Sequence, residues 1–305
     1  MNHKIGIVLV TYNRLPLLQQ ALQLFEEQTV LPEYILVVNN ASTDGTAEFL
    51  KEWENQASTV TRYVHNHPTN LGGSGGFYTA LQIAMEKKAD WIWVSDDDAF
   101  PHLDALEKAD GVLKKYQGRE DTISAICGQV NNHQRIDLRH RKRIYASGWK
   151  VVEEKVPEEE YRKEEFELNA FSYVGVIMNR RKLKQAGLPL KDYFIWYDDT
   201  EHSLRMSKQG KILCIPSIQI DHNVPDRAAD ILDWKTYYGR RNRMDMIHRH
   251  FSGSCYQFQC LKQWLRIHFG MKGSRKAVAL AAFKDVRKGT LGIHPVYRPG
   301  WKPEL

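Results

Sequence analysis

Cysteine is scarce. The chain has 305 residues and four cysteines, at 127, 214, 255 and 260, with no CxxC pair among them. That spacing supports neither a zinc site nor a disulfide framework, and it fits a reducing cytoplasmic setting. Glycine and proline are modest, at 20 and 11 residues, so wholesale disorder is not expected. No apolar run approaches the ~18 residues a membrane-spanning helix needs. The N-terminus runs straight into "KIGIVLVTYN" without a small-residue cleavage site, so it reads as a first strand and not as a signal peptide. Neither GxxxxGK[ST] nor GxGxxG occurs, which disfavours a P-loop kinase and a Rossmann dehydrogenase. No internal repeat and no convincing Ser/His/Asp or Cys/His set is present.

Apolar residues make up 42% of the chain, enough for a sizeable core. Short apolar runs alternate with helical periodicity from the start. Strands are expected at 5–12, 34–40, 61–66 and 91–95, and helices at 14–28, 41–53 and from 77. That alternation predicts an α/β fold with a mostly parallel sheet covered on both faces. The pattern breaks over 131–168, where "EEKVPEEEYRKEEFE" reads as a solvated excursion or a hairpin. Strands at 171–179 and 211–220 and a helix at 198–209 follow. After 231 only helices are expected.

Charge is unevenly spread. Residues 231–305 hold fifteen Lys and Arg against four Asp and Glu, a net charge of +11, while residues 1–230 carry −5. A basic tail behind an acidic body points to an anionic partner such as a membrane surface, a lipid phosphate or nucleic acid. In 257–272, Phe258, Leu261, Trp264, Leu265, His268 and Phe269 share one helical stripe. The stripe alone reads as a core-facing surface. Together with the charge it suggests peripheral contact with an anionic membrane.

Three features carry chemistry. "VSDDDAF" (94–100) places three aspartates at a strand end. Alternate residues project to one side, so Asp96 and Asp98 converge while Asp97 turns away. Two such carboxylates suit Mg2+ or Mn2+, and ligands in open α/β sheets bind beyond the strands' carboxyl ends. A helix cap is the competing reading, with Pro101 in the first turn, but a cap needs one aspartate. "NLGGSGGF" (70–77), with Asn70, Gly72 and Gly73, lies between a strand and a helix, where backbone can press against a ligand or another segment. "YFIWYDD" brings Asp198 and Asp199 through Trp196 and Tyr197, which suits a carboxylate base in a partly dry wall. His222 leaves another strand end as a third metal ligand.

Taken in order, "VLVTYNR", "NNASTDGT", "NLGGSGGF", "SDDDAFP", "WYDDTEHSLR", "DHN" and "YYGRRN" resemble a family-2 glycosyltransferase with the GT-A fold. The match covers roughly 4–245 and is most similar to bacterial galactofuranosyltransferases, with rhamnosyltransferases second. The resemblance implies a GT-A domain over 1–230, with a nucleotide-sugar half (1–130) and an acceptor half (131–230), then a basic helical extension (231–305). It implies Thr11, Tyr12, Asn13 and Arg14 along the nucleotide, position 39 at the uracil, and the 70–73 loop and Asp97 nearby. Asp96, Asp98 and His222 would hold the metal, Asp199 beside Asp198 would be the base, and Trp196, Tyr197 and His202 would face the sugars. Asn39 departs from the usual aspartate, and His202 from an apolar residue. The implied reaction is a single inverting displacement, moving galactofuranose from UDP-galactofuranose, or else rhamnose from dTDP-rhamnose, to a growing or lipid-linked cell-surface glycan. The expected setting is the inner face of the cell membrane, with no nucleic acid, and a homo-oligomer is compatible with it. A sugar-1-phosphate nucleotidyltransferase would need a Gly-rich basic loop where this chain has "TYNRLP", and a non-catalytic nucleotide-sugar binder would not need Asp198 and Asp199.

Overall fold

A computed structural model describes residues 3–225 and 231–303. The boundary expected at 230/231 adjoins residues 226–230, which lie outside the described residues. The first half alternates strictly: β1 (Ile5–Thr11), α1 (Leu15–Glu26), β2 (Tyr34–Asn39), α2 (Thr46–Asn55), β3 (Thr61–Asn66), α3 (Gly72–Ala84) and β4 (Trp91–Asp96). Then come β5 (Phe100–Pro101), α4 (Ala105–Lys115), β6 (Ile123–Asn132), β7 (Arg135–Ile136), β8 (Arg141–Ser147), β9 (Lys150–Lys155), β10 (Phe166–Leu168), β11 (Ala170–Phe171) and β12 (Val176–Asn179). α5 (Arg180–Ala186), α6 (Asp198–Ser207) and β13 (Lys211–Asp221) complete the sheet region, and α7 (Trp234–His250), α8 (Gly253–Gly270) and α9 (Gly273–Lys288) follow.

The main sheet runs β10-β13-β6-β12-β4-β1-β2-β3. β1 pairs in parallel with both β2 and β4, and β12 is antiparallel to its neighbours β4 and β6. β1 is buried along its whole length because the period-two alternation serves two cores. Ile5, Ile7 and Leu9 pack with Leu18 and Phe25 of α1 and Leu50 of α2. Val8 and Val10 pack with Phe77, Ala80, Leu81 and Ala84 of α3. Each of the larger side chains among them, Val, Leu, Ile or Phe, contributes roughly 1.5–3 kcal/mol on full burial. The placement fixes what matters for chemistry: β1, β2 and β4 run parallel and deliver their C-terminal residues to the same end of the sheet.

Two expectations change. The 171–179 run splits in two: Ala170–Phe171 joins β8 and β9 in a small second sheet, and only Val176–Asn179 enters the main one. Gly175 sits at the break with φ +65°, so close to Ile220 that a Cβ would lie 2.6 Å from its Cδ1. The 131–168 excursion contains the β8–β9 hairpin, and its charge-dense stretch runs from the end of β9 into β10, which pairs with β13 in the main sheet, so it is not merely solvated. Glu153 accepts from Arg243 Nε at 2.6 Å and from the Tyr197 hydroxyl at 3.1 Å, tying the hairpin to α7 and to the turn before α6. The tail is three helices, as expected, followed by a non-helical return in which Tyr297 stacks on Tyr237. Among the described residues no helix is long and apolar enough to cross a membrane.

Candidate active site

β4 ends at Asp96, and Asp97 and Asp98 form the turn that follows. Asp96, Asp98 and His222 offer donor atoms within 4.8 Å of one another. His222 arrives just past the end of β13, and its Nε2 lies 3.2 Å from Asp98 Oδ1. Asp97 does turn away: its carboxylate accepts from Thr11 Oγ1 at 2.7 Å and from the Tyr12 backbone N–H at 3.4 Å. Arg14 reaches across to both Asp97 and Asp98. None of the three aspartates caps a helix. α4 starts later, at Ala105, and Pro101 pairs with Ile220 of β13.

The electrostatics show how tightly these charges are held. Burial, then the Asp98 and Asp97 charges, push Asp96 well above the usual carboxylate range, and Asp199 adds to this. Burial also lifts Asp97, to about 6, against the Thr11 hydrogen bond and Arg14. Burial pulls Asp98 upward too, but His222 and Arg14 together outweigh it and hold it low. His222 Nδ1 is buried with no hydrogen-bond partner, and Asp98 Oδ1 faces only the His222 ring. Donor atoms of two crowded carboxylates and an imidazole converging this closely fit a hard divalent cation such as Mn2+ or Mg2+ held by Asp96, Asp98 and His222. His140 stands edge-on to His222 at 5.2 Å between ring centroids. Burial lowers its pKa to about 4 despite Asp137, so it adds no positive charge to the cluster at neutral pH.

The second acidic pair opens α6 after a strained turn. Phe194, Trp196 and Tyr197 all have left-handed backbone, with φ of 67°, 64° and 67°. Such conformations cost roughly 1–2 kcal/mol each for residues other than glycine. The "YYGRRN" residues of α7 hold this turn: Asn242 Nδ2 lies 2.8–3.0 Å from the carbonyls of Tyr193, Ile195 and Trp196. Arg241 donates to the carbonyls of Asp192 and Tyr193. The turn delivers Asp198 buried and Asp199 half-open. Burial, then the Asp199 charge, raise Asp198 to about 7. Burial also raises Asp199, opposed by the Thr200 N–H and hydroxyl on its Oδ1 and by the Lys142 charge. A carboxylate raised toward neutrality and partly open is chemically a proton acceptor.

A cleft of about 270 Å3 lies beside the cluster, lined among others by Thr11, Tyr12, Arg14, Asn70, Gly72, Gly73, Asp96 and Asp97. A larger concavity of about 1050 Å3, at the opposite end of the strands beside His3, Asp90 and Arg180, holds none of these residues. The glycines divide their work. Gly72 has φ +72°, and a Cβ there would lie 2.1 Å from the Phe194 carbonyl oxygen; Gly73 has nothing within 4 Å. The glycine segment is the start of α3 and not a loop before it, with Asn70 Oδ1 accepting from the Gly72 N–H at 2.7 Å. Gly72→Ala is therefore expected to lower the melting temperature and disturb the Phe194 turn. Gly73→Ala should melt as the parent does while weakening nucleotide binding, and calorimetry of both variants checks the distinction.

Other expected residues sit differently. Asn39 is 2% exposed and spends its side chain on Asn66 and the Ser42 N–H, so the extra donor of asparagine has its partner. The cleft wall at that point is Asn40. Asn13 clamps the Thr43 N–H at 2.7 Å and is not in the wall. His202 does not face an acceptor. It is fully buried, with Nδ1 against the Tyr173 hydroxyl and Nε2 against the Gly187 carbonyl, and burial takes its pKa to about 3. Tyr197 is tied to Glu153. Phe194, Ile195, Trp234, Lys235 and Pro299 also line the cleft and were not anticipated. The last three come from the helical extension, and no local sequence signal marks them.

The model of the family described as Glycosyl transferase family 2 matches residues 6–187. Galactofuranosyltransferase GlfT1 of Mycobacterium tuberculosis is 34% identical over 99 residues, covering 32% of this chain and 31% of that one. Galactofuranosyltransferase GlfT2 of Mycolicibacterium smegmatis is 26% identical over 275 residues, covering 82% of this chain and 41% of that one. The chain thus spans about a third to two-fifths of these relatives. The crystal structure of GalNAc-T7 with UDP, GalNAc and Mn2+ superposes with a TM-score of 0.62 at 13% identity, covering 94% of this chain and 56% of that one. The architecture is accordingly of the GT-A type. The matched span takes in β1, the glycine segment and the aspartate cluster, and the chain belongs to glycosyl transferase family 2.

Proposed function

We propose that this protein is an inverting glycosyltransferase that moves a galactofuranosyl residue from UDP-galactofuranose to a hydroxyl of a growing or lipid-linked glycan. The observation that carries the reading is the meeting of two sets of side chains beyond the C-terminal ends of the strands: Asp96, Asp98 and His222 in one, Asp198 and Asp199 in the other, near enough that the Asp199 charge acts on Asp96. The galactofuranosyltransferase names of the relatives support the sugar, and the UDP and Mn2+ in the GalNAc-T7 structure support the donor class.

A divalent ion bound by Asp96, Asp98 and His222 would offset charge on a departing diphosphate. The chain's own residues do the rest. Tyr12, 43% exposed at the cleft, offers a ring to the base. Gly73 and the N-terminus of α3 leave room and backbone N–H groups for an anion. Asp199 takes the proton from the acceptor hydroxyl as that oxygen attacks the anomeric carbon from the face opposite the leaving group. One displacement of this kind inverts the configuration and needs no protein nucleophile.

The test is a donor screen in Mn2+ with UDP-galactofuranose, UDP-galactopyranose, UDP-glucose and dTDP-rhamnose, reading binding and slow hydrolysis. UDP-galactofuranose is expected to be bound and hydrolysed in preference to the others. Turnover of dTDP-rhamnose instead would replace the sugar assignment while keeping the transfer chemistry. No turnover of any donor, with UDP still bound, would favour a non-catalytic binder.

A further inference from the structure

The apolar stripe of α8 faces outward. Periodicity alone makes Phe258, Leu261, Trp264, Leu265, His268 and Phe269 a core-facing surface, yet the buried positions of α8 are Cys255, Gln259, Cys260 and Ile267. Leu261 is 56% exposed, Trp264 42%, Leu265 44% and Phe269 80%. A polar glutamine points in while two leucines, a tryptophan and a phenylalanine point out. Trp149, at the tip of the β8–β9 hairpin and 67% exposed, joins them: its ring lies 6.5 Å from Phe258. Two segments far apart in sequence thus build one exposed apolar patch, which a soluble surface does not need.

The rim of the patch is basic. Lys262 and Arg266 flank the stripe on α8, and Lys272 and Arg275 follow at the turn into α9, all exposed. Between Asp245 and Asp285 the chain has seven Lys and Arg and no acidic residue. Burial, then the Arg266 and Arg275 charges, lower the pKa of Arg240 on α7, so positive charge from three helices crowds together here.

We propose that the α8 face, with Trp149, docks the protein onto an anionic lipid bilayer, the apolar stripe entering the interface and the basic rim meeting the headgroups. Outward Trp, Leu and Phe beside Lys and Arg is the composition of a helix lying in a membrane interface. A second copy of the chain fits less well, because a two-fold contact would bring Lys262 and Arg266 against like charges with no acid to pair. A nucleic acid would match the rim but would leave Leu261, Leu265 and Phe269 without an apolar partner. The inference does not depend on which donor sugar is used.

The test is sedimentation of the full chain with phosphatidylcholine vesicles, with and without phosphatidylglycerol, at low and high salt. Binding is expected only with phosphatidylglycerol, falling as salt screens the rim. Leu265→Asp/Phe269→Asp and, separately, Lys262→Glu/Arg266→Glu should each weaken it by roughly tenfold or more. All four positions are exposed, so both variants should melt and bind UDP as the parent does. Unchanged vesicle binding by both variants overturns the proposal. So does a parent that sediments as an oligomer without lipid and becomes monomeric in Leu265→Asp/Phe269→Asp, which would make this face a contact between copies.

Discussion

Asp199→Asn is expected to bind the nucleotide sugar nearly as the parent does and to transfer it ~10²–10⁴-fold more slowly, the usual worth of a general base. The amide keeps the shape of the side chain, and its carbonyl can still accept from the Thr200 N–H and hydroxyl that Asp199 Oδ1 now holds. What it cannot do is take a proton. The pH profile carries the same information. A base works only when ionised, and burial raises Asp199 above its ordinary range. The acid limb of kcat/KM in the parent should therefore fall at a higher pH than an exposed aspartate would give, with activity lost as pH drops through that value. In Asp199→Asn this limb should vanish along with most of the rate. Steady-state kinetics across pH with donor affinity measured in parallel decide the matter. Turnover within tenfold of the parent would remove Asp199 from the base role. Asp198 would then be the candidate, since burial and its neighbour bring it to about 7.

Removal of either carboxylate of the Asp96/Asp98 pair should have the second largest effect. In Asp96→Ala or Asp98→Ala, titration calorimetry with UDP is expected to lose the gain in affinity that Mn2+ confers on the parent, by ~10²-fold or more, because outer partners of metal ligands alone are worth 10–100-fold. The fold should survive. Both substitutions relieve repulsion among Asp96, Asp97 and Asp98, and the Asp97 contact that holds Arg14 remains. His222→Ala should weaken the Mn2+ dependence less, as two carboxylates persist. If either aspartate variant binds UDP with the parent's Mn2+ dependence, these residues do not hold the ion. The same experiment probes Arg14, which bridges Asp97 and Asp98 and so competes with any cation for Asp98.

Much of this site is written in short stretches of chain. Apolar runs such as Ile5–Thr11 and Trp91–Asp96 identify themselves as buried strands because a parallel sheet needs both faces apolar. Acidic residues at the end of β4 and the start of α6 stand out because like charges gather there without a local partner. So the fold class, the Asp96/Asp98 pair and the Asp198/Asp199 pair follow from sequence alone. Periodicity also says which residues share a face of α8.

It does not say what covers that face, and the tertiary structure decides this against the simplest expectation: Gln259 goes in and Leu265 comes out. Neighbouring positions are separated the same way. Asn40 enters the cleft wall and Asn39 turns to Asn66, because the pleat sends successive side chains to opposite sides. His202 looks reactive as a letter in a motif, yet Tyr173 and Gly187 take both of its nitrogens. Trp234, Lys235 and Pro299 reach the cleft only because the helical extension folds back across the sheet edge. Local pattern determines what each segment is; long-range packing determines which side chains remain free to do chemistry.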